Sequence, residues 1–181
     1  MTLLLLGIAL FMAPHLLSLA KPARAAVAGA IGALPLKGAH ALISILGVVL
    51  IVHGYQAAEI IPLYDPLPNR AVPHALMPFA FIMLAGAHMK SNLKRYVRHP
   101  MAIGVMLWAI SHLAVRGDLA SVLLFGAFGL YALADFIISR PAAPPVLQPR
   151  AKDAILVIAG LIAYAAVMWA HGAVFGVYVV G

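Results

Sequence analysis

The side chains able to do chemistry in this 181-residue chain are few: eight histidines, five acidic residues and no cysteine. Without cysteine there is no thiolate ligand, iron–sulfur cluster or thiol nucleophile. Imidazole is left as the main metal ligand. The histidines lie within or at the ends of apolar runs, where an unpartnered polar group is costly. A hydrogen bond between helices would satisfy such a ring, and so would metal or haem ligation. Zinc has few carboxylates to draw on, whereas bis-imidazole haem needs only two histidines on facing helices. These residue types point to an intramembrane site for haem b, bound non-covalently because the chain has no C-x-x-C-H. No G-x-G-x-x-G, P-loop or H-E-x-x-H is present. No pair of carboxylates is spaced for general acid–base work.

The elements that must position these rings are transmembrane helices. Hydrophobic residues make up 65% of the chain, charged residues 9%, and mean hydropathy is +1.04, against about 25% charged residues in a soluble domain. Apolar runs recur at Thr2–Ala20, Ala39–Ala58, Ala71–Met89, Pro100–Val115, Leu119–Ile138 and Ala154–Val180, each close to the roughly 20 residues that cross hydrocarbon. The fold class is all-α: an integral membrane bundle of six transmembrane helices forming a single domain over residues 1–181. The first run lacks a basic segment before Leu3 and reads as a retained helix, not a signal peptide. Gly47, Gly54, Gly86, Gly104, Gly126, Gly129 and Gly160 suit close helix packing.

Ten of the twelve lysines and arginines fall in the first, third and fifth connections; the second and fourth hold only Arg70 and Arg116. The positive-inside rule puts the odd-numbered connections in the cytoplasm and both termini outside. Anionic lipid headgroups account for the net charge of +7 without nucleic acid as a partner. The second connection is rich in proline around Asp65 and Asn69, the fifth reads Arg140-Pro141-Ala142-Ala143-Pro144-Pro145 as a stiff linker, and the basic third could lie along the inner interface.

Helical rise assigns each histidine a depth. His15, His40, His88 and His99 lie toward the cytoplasmic side; His53, His74, His112 and His171 lie toward the other. His40, His74 and His88 fall where headgroup water can solvate them, whereas His15, His53 and His112 are well inside apolar runs and need partners. Measured from the inner ends of their helices, His112 is about 20 Å deep, His53 about 23 Å and His15 about 8–9 Å. Depth alone pairs His53 with His112.

The segment Arg98-His99-Pro100-Met101-Ala102-Ile103-Gly104-Val105-Met106-Leu107-Trp108-Ala109-Ile110-Ser111-His112, followed by Gly117-Asp118, resembles the NnrU family of bacterial membrane proteins. It is also similar to the 15-cis-ζ-carotene isomerases of plants and cyanobacteria. Ala13-Pro14-His15-Leu16-Leu17-Ser18-Leu19, Ile51-Val52-His53-Gly54-Tyr55 and His171-Gly172 support the likeness, which spans essentially the whole chain. Through the isomerases the resemblance implies a haem b protein with axial ligands at His112 and His15, and the depth argument makes His53 the substitute. Redox change of the iron would there enable cis–trans isomerisation of a polyene. Those enzymes carry a cysteine three residues before the helix histidine; this chain has Ala109, so a cysteine-based ligand switch has no residue to act through. Through bacterial NnrU proteins the resemblance implies a link to nitrogen-oxide reduction.

On this reading Trp108, Met106 and the glycines wall the pocket, while Arg98 and His99 pair with haem propionates. The partners are membrane lipids, haem and either an apolar polyene substrate or a redox partner. A haem module for electron transfer or gas sensing, without an organic substrate, is the main rival. The Arg98-His99-Pro100 element also resembles isoprenylcysteine carboxyl methyltransferases, but the acidic and aromatic residues of their cofactor pocket are missing downstream. The basic asymmetry predicts that reporter fusions at Gly181 are active outside the cytoplasm; a cytoplasmic C-terminus would reverse the topology.

Overall fold

A computed structural model describes residues 1–139 and 146–177. The linker expected from Arg140 to Pro145 and the end of the last apolar run lie outside the described residues. The helices are α1 (Thr2–Leu19), α2 (Lys21–Ile31), α3 (Ala33–Gln56), α4 (Ala71–His88), α5 (Leu93–Tyr96), α6 (Pro100–Val115), α7 (Leu119–Ile138) and α8 (Arg150–Phe175). Five are long and apolar enough to span a membrane, and α6 is a shorter apolar helix. The all-helical class and the six apolar segments agree with the sequence. Among the described residues the only extended pairing is an isolated bridge between Pro62 and Asp118. The chain forms two compact units, Met1–Ile61 and Pro62–Gly181.

In the first unit α1 packs along α3. Glycine makes this contact possible. A Cβ on Gly7 would lie 2.6 Å from the Ile51 nitrogen, one on Gly47 2.8 Å from the Phe11 nitrogen, and one on Gly54 would collide with the backbone of Leu3 and Leu4. Lipid offers no hydrophobic drive for helices to associate, so close van der Waals approach must supply it. Leu4, at the tightest crossing, is 0% exposed.

The first connection, read from sequence as a loop, is largely helix α2. It follows a break at Ala20 (φ −80°, ψ 71°), has proline in its first turn and ends at Gly32 with φ +90°. Proline is pre-organised for a first turn, alanine favours helix, and the left-handed conformation of Gly32 stops it. None of its residues is buried. Because the chain re-enters helix directly after Gly32, α3 begins at Ala33, six residues before the apolar run.

In the second unit α4 packs on both α6 and α8, and α7 packs on α6. Gly104 of α6 meets Leu84 and the Ala80 carbonyl of α4; Gly160 of α8 meets the backbone of Ile82. Gly86 leaves room for the Leu93 side chain, which fastens α5 to α4. The outward helix surfaces are apolar, as at Trp169, 86% exposed, which suits a hydrocarbon environment.

These approaches yield a contrast. Gly54→Ala should destabilise the protein in detergent by thermal unfolding, because its methyl group meets backbone on both sides. Gly126→Ala has nothing within 4 Å and should be neutral or stabilising, by about 0.5–1 kcal/mol. Equal melting of the two variants would refute glycine-mediated packing.

Candidate functional site

Each histidine can be placed within its own unit. In the first, His15 donates Nδ1–H to the Phe11 carbonyl at 2.7 Å, stacks on Phe11 with centroids 4.2 Å apart, and lies 4.7 Å from His40. Its interface neighbour His40 was not an expected companion. His53, in the last turn of α3, is exposed. In the second unit His74 reaches the Tyr164 hydroxyl at 3.3 Å, and His88 is exposed at the end of α4.

The structure brings together His112 of α6 and His171 of α8. Their ring centroids are 6.4 Å apart and their planes differ by 17°. Each ring is anchored through Nδ1: His112 Nδ1 lies 2.8 Å from the Trp108 carbonyl and His171 Nδ1 2.7 Å from the Val177 carbonyl. A carbonyl can only accept, so both rings carry a proton on Nδ1. A backbone carbonyl in this position fixes the orientation of a histidine ring.

The surroundings are aromatic. Phe125 of α7 stacks on His112 at 4.5 Å and 22°, Trp108 lies 5.2 Å from His112, and Phe125 and Phe128 meet Trp108 edge-on at 4.8 and 5.4 Å. Phe175 lies 4.9 Å from His171. Trp108 thus lies against His112 within an aromatic cluster. Pro100, Gly104, Trp108 and His112 recur every fourth residue, forming one slowly turning stripe of α6. Along it glycine serves packing against α4, and tryptophan and histidine join the cluster with Phe125.

Arg98 and His99 converge on one acceptor. Arg98 Nη2 and His99 Nε2 lie 3.0 and 2.9 Å from the Ser139 carbonyl, just past the end of α7, and Arg98 sits 5.4 Å over the Phe136 ring. Asp135 accepts from the Ser139 hydroxyl at 2.5 Å. Side-chain donors at a helix C-terminus satisfy carbonyls that the helix leaves free. Among the described residues no group of three or more histidine, cysteine or acidic residues converges on a metal position.

Sequence reasoning missed the closure at the far end of α6. Leu63 and Tyr64 donate backbone N–H to the Gly117 carbonyl at 2.7 and 3.1 Å, and Leu67 donates to Ala114 at 2.8 Å. The Tyr64 hydroxyl bridges the Leu113 and Arg116 carbonyls. Burial, and then the Asp118 carboxylate, push the Tyr64 phenol above its ordinary value, keeping it a donor. Gly117 lies against the Tyr64 carbonyl where no side chain fits, and Asp118 caps α7 by accepting from the Ser121 nitrogen at 2.9 Å. The Gly117-Asp118 pair thus serves chain reversal; the only sequence signal for Tyr64 was its place among prolines. Tyr64→Phe should cost about 1 kcal/mol of stability and speed amide exchange at Leu67. Unchanged exchange there would show that the hydroxyl does not hold the closure.

No curated protein and no solved structure matches the chain. The pattern of the NnrU family, described as NnrU protein, matches residues 3–179. Nearly the full length is covered, so this chain is a member of the NnrU family.

Proposed function

We propose that this NnrU-family protein is a membrane haem b protein that serves electron transfer, with His112 and His171 as the residues that hold the iron. The observation that supports it is the anchored, nearly parallel pair at 6.4 Å. Two imidazoles held in a common orientation on facing helices could share one metal through Nε2. Neither Nε2 has a partner among the described residues, and a pair of ring nitrogens without carboxylate or thiolate would suit haem iron better than zinc.

Bound haem supplies a one-electron centre. The chain's own residues do the rest. The Trp108 and Val177 carbonyls fix the tautomers and orientations of the two rings. Trp108, Phe125, Phe128 and Phe175 surround them with apolar surface and exclude water, which favours the less charged oxidation state. His112 and His171 would hold the haem, which would supply one-electron chemistry there, and this favours electron transfer over polyene isomerisation. Ala109, 2% exposed, offers no thiolate for a ligand exchange. A basic cytoplasmic face in a bacterial inner membrane, and service to nitrogen-oxide reduction, accord with this role.

Absorption spectra of protein purified from haem-replete cells test the reading. The wild type should give a low-spin haem b spectrum and a positive pyridine assay. His112→Ala and His171→Ala should each abolish the low-spin form, while His74→Ala keeps it. A colourless wild type would end the haem proposal. Loss of the low-spin form in His15→Ala or His53→Ala, with His171→Ala intact, would move the second ligand to that residue.

A further inference from the structure

We propose that a cleft bounded by His88, Lys90, Ser91, Lys94 and Lys152 binds the phosphate of an anionic membrane lipid. The cleft, of about 370 Å³, lies where α4 ends and α8 begins. Both are apolar helices of spanning length, so their ends fall at headgroup level. Three lysines and a histidine line one small volume.

Ser91 is the second, independent observation. It is 2% exposed, yet its hydroxyl has no hydrogen-bond partner among the described residues. A buried hydroxyl left unpaired is costly, and a phosphate oxygen would accept its proton. The lysines have donors to spare. Lys94 gives one to the Ala87 carbonyl at 2.6 Å and Lys152 one to Gln148 Oε1 at 2.9 Å, out of three on each ammonium. The neighbouring carboxylate does not occupy them: Asp153 accepts from the Asn92 nitrogen and from Asn92 Nδ2, both at 2.7 Å. Ile155, about one turn further along α8 from Lys152, is 55% exposed. Apolar surface therefore continues below the cations, as an acyl chain requires, which favours a lipid over free phosphate.

Native mass spectrometry of the full-length protein released from nanodiscs of equimolar phosphatidylcholine and phosphatidylglycerol provides the test. The wild type should retain one phosphatidylglycerol in preference to phosphatidylcholine. Lys90→Gln and Lys152→Gln should each lower that retention about fivefold, and Ser91→Ala by a similar factor. Lys37→Gln, which removes the same charge from the first unit, should leave it unchanged. Thermal unfolding checks each variant, and Lys94→Arg, which preserves the charge, should retain the lipid if folding is intact. Equal retention of the two lipids by the wild type, or an equal loss in Lys37→Gln, would overturn the site in favour of diffuse attraction. Displacement of the lipid by millimolar inorganic phosphate would overturn the lipid assignment and make free phosphate the occupant.

Discussion

A helix in hydrocarbon leaves its last carbonyls without partners unless it reaches water or finds donors in the protein. Helix α6 has 16 residues, which at 1.5 Å per residue gives about 24 Å, short of the roughly 30 Å of a bilayer core. Its end must therefore be closed by protein. The Pro62–Leu67 segment provides that closure through backbone N–H groups and the Tyr64 hydroxyl. His112, one turn before this end, consequently sits beneath a polar lid and inside an aromatic wall. The shortness of α6, the prolines of the preceding segment and the depth of the imidazole are parts of one solution to the same hydrogen-bonding problem.

The second constraint is the lack of a hydrophobic force between helices in lipid. Glycine answers it in both units, but with different results. In the first unit Gly7, Gly47 and Gly54 let two backbones touch, and a cavity of about 490 Å³ opens beyond them, between Pro14, Arg24 and His40. In the second, Gly104 and Gly160 bind α6 and α8 to α4. The two outer helices are thereby held on a common support while their histidine ends meet beside α7. Close packing on α4 gives the site a rigid base.

Much of this was legible in the residues. The six apolar runs followed from hydropathy, and most of the packing glycines from their place inside those runs, though Gly126 meets nothing within 4 Å. His171 was assigned to the same layer as His112 but not set beside it, because depth fixes only one coordinate and rotation about the axis depends on tertiary contacts. Helix α2 was missed because exposed alanines and a few charges carry no apolar periodicity. The anchoring carbonyls of Trp108 and Val177 and the Tyr64 closure involve backbone acceptors, which sequence does not distinguish from any others.

Asn92 holds the beginning of α8 from several directions: it donates to both oxygens of Asp153 and to the Gln148 carbonyl, and its own side-chain oxygen accepts from the Gln148 nitrogen at 2.8 Å. Asp153 and His171 are separated by about five full helical turns, so they project from the same side of the same rod. The grip of Asn92 at one end therefore sets the angular phase of the imidazole at the other. A slip of α8 by one residue would swing His171 through about 100°, out of line with His112. A contact at one end of α8 thus determines the alignment of a ring at its other end, with the helix acting as the torsionally stiff shaft between them.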